Sequence, residues 1–113
     1  MIRVRIRRNG AGQITGFEVH GHAGAGPYGQ DIVCAGVSAV VFTALLGLRQ
    51  VAGIPHQVVE REEEGYLYCR LEGGSPSAWE RAQVILETML AGLRDIEKDY
   101  GKHIRITEGG VEP

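Results

Sequence analysis

The amino-acid sequence predicts an α+β fold in which two main helices pack on a small, mostly antiparallel sheet, in the element order ββαββαβ. Three observations lead there. Short segments alternate apolar and polar residues with period two, as half-buried strands do. Two longer stretches repeat apolar residues at spacings of three and four, the mark of a helix with one covered face. The strand-like segments come in adjacent pairs joined by turn residues, so hairpins and helices are segregated along the chain. At 113 residues the chain has room for one core. We assign residues 1–108 to a single domain and residues 109–113 to a flexible tail.

The first strand places Ile2, Val4 and Ile6 on one face and Arg3, Arg5 and Arg7 on the other. Asn9-Gly10-Ala11-Gly12 then supplies turn residues, and the chain is expected to return as a second strand from Ile14 to His22. Residues 21–30 read G-H-A-G-A-G-P-Y-G-Q, which holds no regular element and reads as a mobile loop. Asp31 opens a helix carried by Val33, Val37, Val40, Val41, Ala44, Leu45, Leu48 and Val51, and Gly53-Ile54-Pro55 ends it. This helix is apolar nearly all round, which suits packing on a sheet with a second helix or subunit on its other side. A second hairpin joins His56–Arg61 to Tyr66–Leu71 across Glu62-Glu63-Glu64-Gly65. Ser75 and Pro76 start the second helix as N-cap and first helical residue, and its stripe runs Trp79, Ala82, Leu86, Met89, Leu93 and Ile96 to an end near Tyr100-Gly101. Ile104 and Ile106 flank Arg105 in a short closing strand.

Composition narrows the function classes. A net charge of -2 argues against a protein whose main affinity is for phosphate backbones. No apolar run approaches the roughly 20 residues of a membrane span, and the Arg-rich, alternating N-terminus does not read as a signal peptide, so a cytoplasmic protein without a membrane partner is expected. Two cysteines are too few for a disulfide framework, and each is read as an individual thiol.

The two thiols differ in setting. Cys34 falls three residues after Asp31, in the first turn of the apolar helix, where unpaired N–H groups and the helix dipole favour a thiolate. Ser38 lies one turn later on the same face. His22 stands across the glycine-rich loop, and loop closure brings an imidazole to the sulfur. Cysteine and histidine suffice for nucleophilic catalysis, because the ring takes the thiol proton and later hands it to a leaving amine. Asp31 either orients the histidine or only caps the helix. Cys69 shares the apolar phase of Leu67 and Leu71 and reads as an inert core residue.

Gly21-His22-Ala23, the glycine-rich gap, and Asp31-Ile32-Val33-Cys34-Ala35-Gly36-Val37-Ser38-Ala39 together resemble the signature of the Prp family, the bacterial ribosomal-processing cysteine proteases. The resemblance extends over element order and length. It implies endoproteolysis in the cytoplasm: removal of the N-terminal extension of a large-subunit ribosomal protein, the twenty-seventh of the L series, by a homodimer that needs no cofactor. It further implies Cys34 as nucleophile, His22 as general base, Asp31 and Ser38 as supporting residues, and a peptide-covering lid containing Gly24, Gly26 and Gly29. His20 matches no role in that pattern and reads as a surface residue.

Three competing readings are weaker. Gly24 to Gly29 matches G-x-G-x-x-G, yet it follows an antiparallel hairpin, lacks the acid about 20 residues on, and has no lysine for a phosphate loop. His20, His22, Asp31 and Cys34 do not have the closely paired spacing of a zinc site, so no metal is expected. The Arg3, Arg5, Arg7 face offers the runner-up: a non-catalytic ribosome-assembly factor that binds ribosomal RNA or protein.

Overall fold

The computed structural model describes residues 1–22 and 31–111. Strands β1 (Ile2–Arg8) and β2 (Ile14–His20) precede helix α1 (Ile32–Gly47), which a π-helical turn extends through Leu48–Ala52. Strands β3 (His56–Arg61) and β4 (Tyr66–Leu71), helix α2 (Pro76–Tyr100) and strand β5 (Ile104–Val111) follow. The expected α+β class and element order are those observed. The sheet order is β3-β4-β2-β1-β5, antiparallel throughout except for the parallel pair β1 and β5.

The first hairpin closes on Asn9, whose Oδ1 accepts from the N–H groups of Ala11 and Gln13, both at 3.0 Å. Beyond it the register slips. Arg7 pairs with Gly16 but Arg8 pairs with Ile14, so Thr15 is the extra residue of a bulge. The slip reverses the phase of β2, which is why Ile14 and Phe17, three residues apart, are both fully buried. Gln83 of α2 reaches this point, accepting from the Ile14 N–H and donating to its carbonyl, each at 2.8 Å.

Both helices cover one face of the sheet. Ile2, Val4, Ile6, Phe17, Leu67, Cys69, Leu71, Ile104 and Ile106 form the sheet side of the core, against Val33, Val37 and Val41 of α1 and Ala82, Leu86 and Leu93 of α2. The expected caps hold α2: the Ser75 hydroxyl accepts from the Ala78 N–H at 3.2 Å, with Pro76 in the first turn.

Three expectations need correction. The second strand ends at His20, two residues early, because Gly21 turns out of the strand at φ +97°. The closing strand is longer than expected and takes in residues 109–111, which were assigned to the tail. Parallel pairing with β1, reaching Arg8 opposite Val111, holds this end. The helical segment from Ile32 to Ala52 is 21 residues long and apolar enough to cross a membrane by length and composition, although scattered Ser38, Thr43 and Gln50 break the run when it is read residue by residue. Its Val33, Val37, Val41, Ala44, Leu48 and Ala52 are committed to the core of the domain.

At the far end of the covered face an ionic cluster closes the core. Arg8 continues the phase of Ile2, Val4 and Ile6 on the helix side, where it donates to Glu87 of α2 at 2.7 Å and to Glu108 of β5 at 2.8 Å. Arg94 donates to Glu97 at 3.2 Å and also to Glu108, and Glu97 accepts from the Ile106 N–H at 2.8 Å. Hydrogen bonds from Arg8 and then Arg94 hold the Glu108 carboxyl below the usual carboxylate range. A lowered folded-state value means that this stabilisation is present above the unfolded value and is lost as pH falls through the folded one. Glu108→Gln is therefore expected to lower stability at pH 7 by about 1 kcal/mol. It should also flatten the loss of stability on acidification below about pH 4.5, measured by denaturant titration across pH.

Candidate active site

Helix α1 begins beside one end of the sheet, and a cavity of about 240 Å³ lies between its first turns and the second hairpin. His22, Cys34 and Ser38 share its lining with Phe42, Glu60 and Glu62. Three of the four expected catalytic and supporting residues are thus brought to one cavity.

Local sequence positions the sulfur. Asp31 is the N-cap, its Oδ1 accepting from the Cys34 N–H at 3.0 Å, so Cys34 occupies the third residue of α1. The cap that sequence reasoning left as one of two roles for Asp31 is what the structure displays. Cys34 is half-buried, reachable by substrate and still lodged against the core. The helix N-terminus favours negative charge there.

A non-local arrangement positions the histidine. The Gly21 N–H donates to the Gly65 carbonyl at 2.9 Å, tying the end of β2 to the turn that precedes β4. Gly65 sits in the left-handed region at φ +59°. A Cβ at this residue would lie 2.9 Å from His22 Nε2 and 3.0 Å from its Cε1. The imidazole of His22 therefore rests on the bare face of Gly65, and only glycine suits both the backbone angle and the contact.

His20 points elsewhere. It lies on the other face of the sheet, with its ring edge-on to Tyr66 at 6.0 Å between centroids, so it does not pair with His22 as a ligand. Among the described residues no group of three or more His, Cys, Asp or Glu could hold a metal ion. The three lid glycines, Gly24, Gly26 and Gly29, lie outside the described residues. Cys69 is fully buried, and burial pushes its thiol up to about 12, as an inert core thiol requires.

Sequence reasoning missed Gly65, Glu60, Glu62 and Phe42. The acidic turn reads only as a hairpin tip, and no local signal tells that its glycine supports an imidazole 43 residues earlier in the chain. Two outcomes are expected. A haloacetamide should label Cys34 near neutral pH and leave Cys69 unmodified until unfolding, read by peptide mass spectrometry. Gly65→Ala should lower kcat/KM at least tenfold while the folded circular dichroism spectrum persists, since the added methyl displaces the imidazole.

Comparison with known proteins agrees with this geometry. A family model described as cysteine protease Prp matches residues 1–105. The ribosomal processing cysteine protease Prp of Bacillus subtilis (strain 168) is 41% identical over 108 residues, covering 95% of this chain and 96% of the relative. That of Staphylococcus aureus (strain Mu50) is 36% identical over 106 residues, covering 94% and 97%. The crystal structure of the S. aureus protease with a covalently linked product peptide superposes with a TM-score of 0.88 at 35% identity, covering 96% of this chain and all of that one. The same protease with a substrate peptide gives 0.82 at 34% identity, with the same coverage. With a helix-capped cysteine and a histidine on one cavity, and with these matches over nearly its whole length, the chain belongs to the Prp family and is a cysteine protease.

Proposed function

We propose that this protease removes the N-terminal extension of a large-subunit ribosomal protein, the twenty-seventh of the L series, with Cys34 as nucleophile and His22 as general base. The observation that carries the reading is the shared cavity of His22, Cys34 and Ser38. The names of the B. subtilis and S. aureus relatives, and the peptides bound to the S. aureus enzyme, support a ribosomal substrate. The non-catalytic assembly factor falls away with membership of a protease family.

In the chemistry we assign, His22 takes the proton from Cys34 Sγ, and the sulfur attacks the scissile carbonyl. The oxyanion forms near the start of α1. Because the Cys34 N–H already donates to Asp31, the donors left in that first turn are the N–H groups of Ile32 and Val33. Collapse of the tetrahedral intermediate passes the proton from His22 to the leaving amine and leaves a thioester on Cys34. Water, deprotonated by the same imidazole, releases the acid product. Asp31 holds the first turn, Ser38 lines the cavity, and the segment with Gly24, Gly26 and Gly29 keeps the role of peptide lid. The enzyme acts in the cytoplasm as a homodimer on this reading, and the exposed Phe42, Leu46 and Val51 of the apolar helical segment support self-association.

Incubation with the unprocessed ribosomal protein from the same cell, read by intact mass, should show the shortened product. Cys34→Ala should abolish it, and His22→Ala should slow it at least roughly a hundredfold. Processing that persists in the Cys34→Ala protein excludes the mechanism.

A further inference from the structure

Among the described residues no element covers the face of the sheet opposite the helices, and its side chains are ordered by strand register. At the end nearest the active site the row across the sheet reads Arg105, Arg3, His20, Tyr66 and Arg61. The next row reads Thr107, Arg5, Glu18, Tyr68 and Val59, and the third carries Arg7, Gly16, Arg70 and Gln57. Arg3, Arg5, Arg61, Arg70 and Arg105 are exposed, and Arg7 is half-exposed. Six of the 12 basic residues of the chain thus share these rows with Glu18 as the one carboxylate among the described strand residues of the face, and Arg61 also meets Glu64 of the adjoining turn at 3.9 Å, although the chain as a whole carries a net charge of -2. Glu18 lies 4.0 Å from Arg5 and 3.7 Å from Arg7 and offsets only part of that charge.

From this arrangement we propose that the uncovered face binds RNA. Charge complementarity selects a polyanion, because an acidic chain has concentrated its cations on the one surface its helices leave bare. Every cation in these rows is arginine, whose planar fork matches phosphate oxygens in two-point contact. Along β1 the guanidinium groups recur at about 7 Å, twice the rise of a strand residue, and those on neighbouring strands extend the array sideways. Tyr66 and Tyr68, half-buried in the middle of the face, add flat rings on which bases stack. An acidic peptide or an anionic membrane would use the charge without the rings. A shallow depression lined by Arg3, Arg5, Glu18, His20, Arg105 and Thr107 provides relief on an otherwise flat surface. The face meets the candidate active-site cavity only at Tyr66, which lines both, and the arginines of the depression lie outside that cavity.

Anisotropy of a fluorescein-labelled, single-stranded 20-nucleotide RNA, titrated with the intact protein between 50 and 200 mM salt, tests the proposal. The wild-type protein should bind with affinity that falls steeply with salt. Arg3→Ala/Arg70→Ala/Arg105→Ala should weaken binding at least tenfold and reduce the salt slope by about two. Tyr68→Ala alone should weaken it several-fold with the slope unchanged. Cleavage of a free substrate peptide should be the same in all three proteins, which also certifies their folding, and Arg105→Glu serves as a single exposed change should the triple variant fail to fold. Absence of RNA binding at 50 mM salt overturns the proposal. So does equal binding by wild type and variants, or competition by polyglutamate or phosphatidylserine vesicles as effective as competition by unlabelled RNA.

Discussion

With Ile2, Val4 and Ile6 on one side of β1 and Arg3, Arg5 and Arg7 on the other, a sheet built around this strand can be covered on one side only, and both helices have to lie there. The helices bring the core, and α1 in particular must enter it from an end of the sheet. Its N-terminus therefore lies beside the ends of β2 and β4, where strand pairing stops and backbone geometry is free to turn. The cavity lined by His22, Cys34 and Ser38 occupies that place. Two chemically distinct surfaces thus follow from a single alternation in seven residues: an apolar side that seats the helix bearing Cys34, and an arginine side left to solvent.

Features encoded within a few residues of themselves were legible in the sequence. The Asp31 cap and the position of Cys34 in the first turn need only residues 31–34, and the start of α2 at Ser75 and Pro76 is equally local. Both hairpins could be read from their turns, and Cys69 from its apolar neighbours. What escaped reading depends on distant partners. The Thr15 bulge makes sense only once Gln83 of α2 stands ready to pair with Ile14. Strand β5 runs past its last isoleucine because β1 is beside it in parallel, a pairing between opposite ends of the chain that no local pattern announces. The contribution of Gly65 to the site is the extreme case, since the constraint it meets is set by the side chain of His22, beyond the end of β2.

The two cysteines show how position decides chemistry when the functional group is the same. Cys69 lies in the middle of β4 with no exposed surface, and removal from water penalises its thiolate so heavily that the proton stays on throughout the physiological range. Cys34 is only half-buried, at a helix end whose dipole favours the anion. The protein thus keeps two thiols in opposite settings, and the difference needs no residue dedicated to protecting Cys69.

The site also divides its labour between a rigid half and a half held by contact. Cys34 is fixed by helix geometry and by the Asp31 cap, both of which belong to α1 and move with it. His22 stands outside any strand or helix, and its described support comes through Gly21 and Gly65. A hydrogen bond between two backbone groups, with a bare glycine beneath the ring, limits where the imidazole can go without locking its rotation. That freedom suits the role of base we propose for His22, which has to face the sulfur in one step and the leaving amine or a water in the next. A side chain at residue 65 would remove it by filling the space the ring uses, so the sharp acidic turn before β4 serves the chemistry through the atom it lacks.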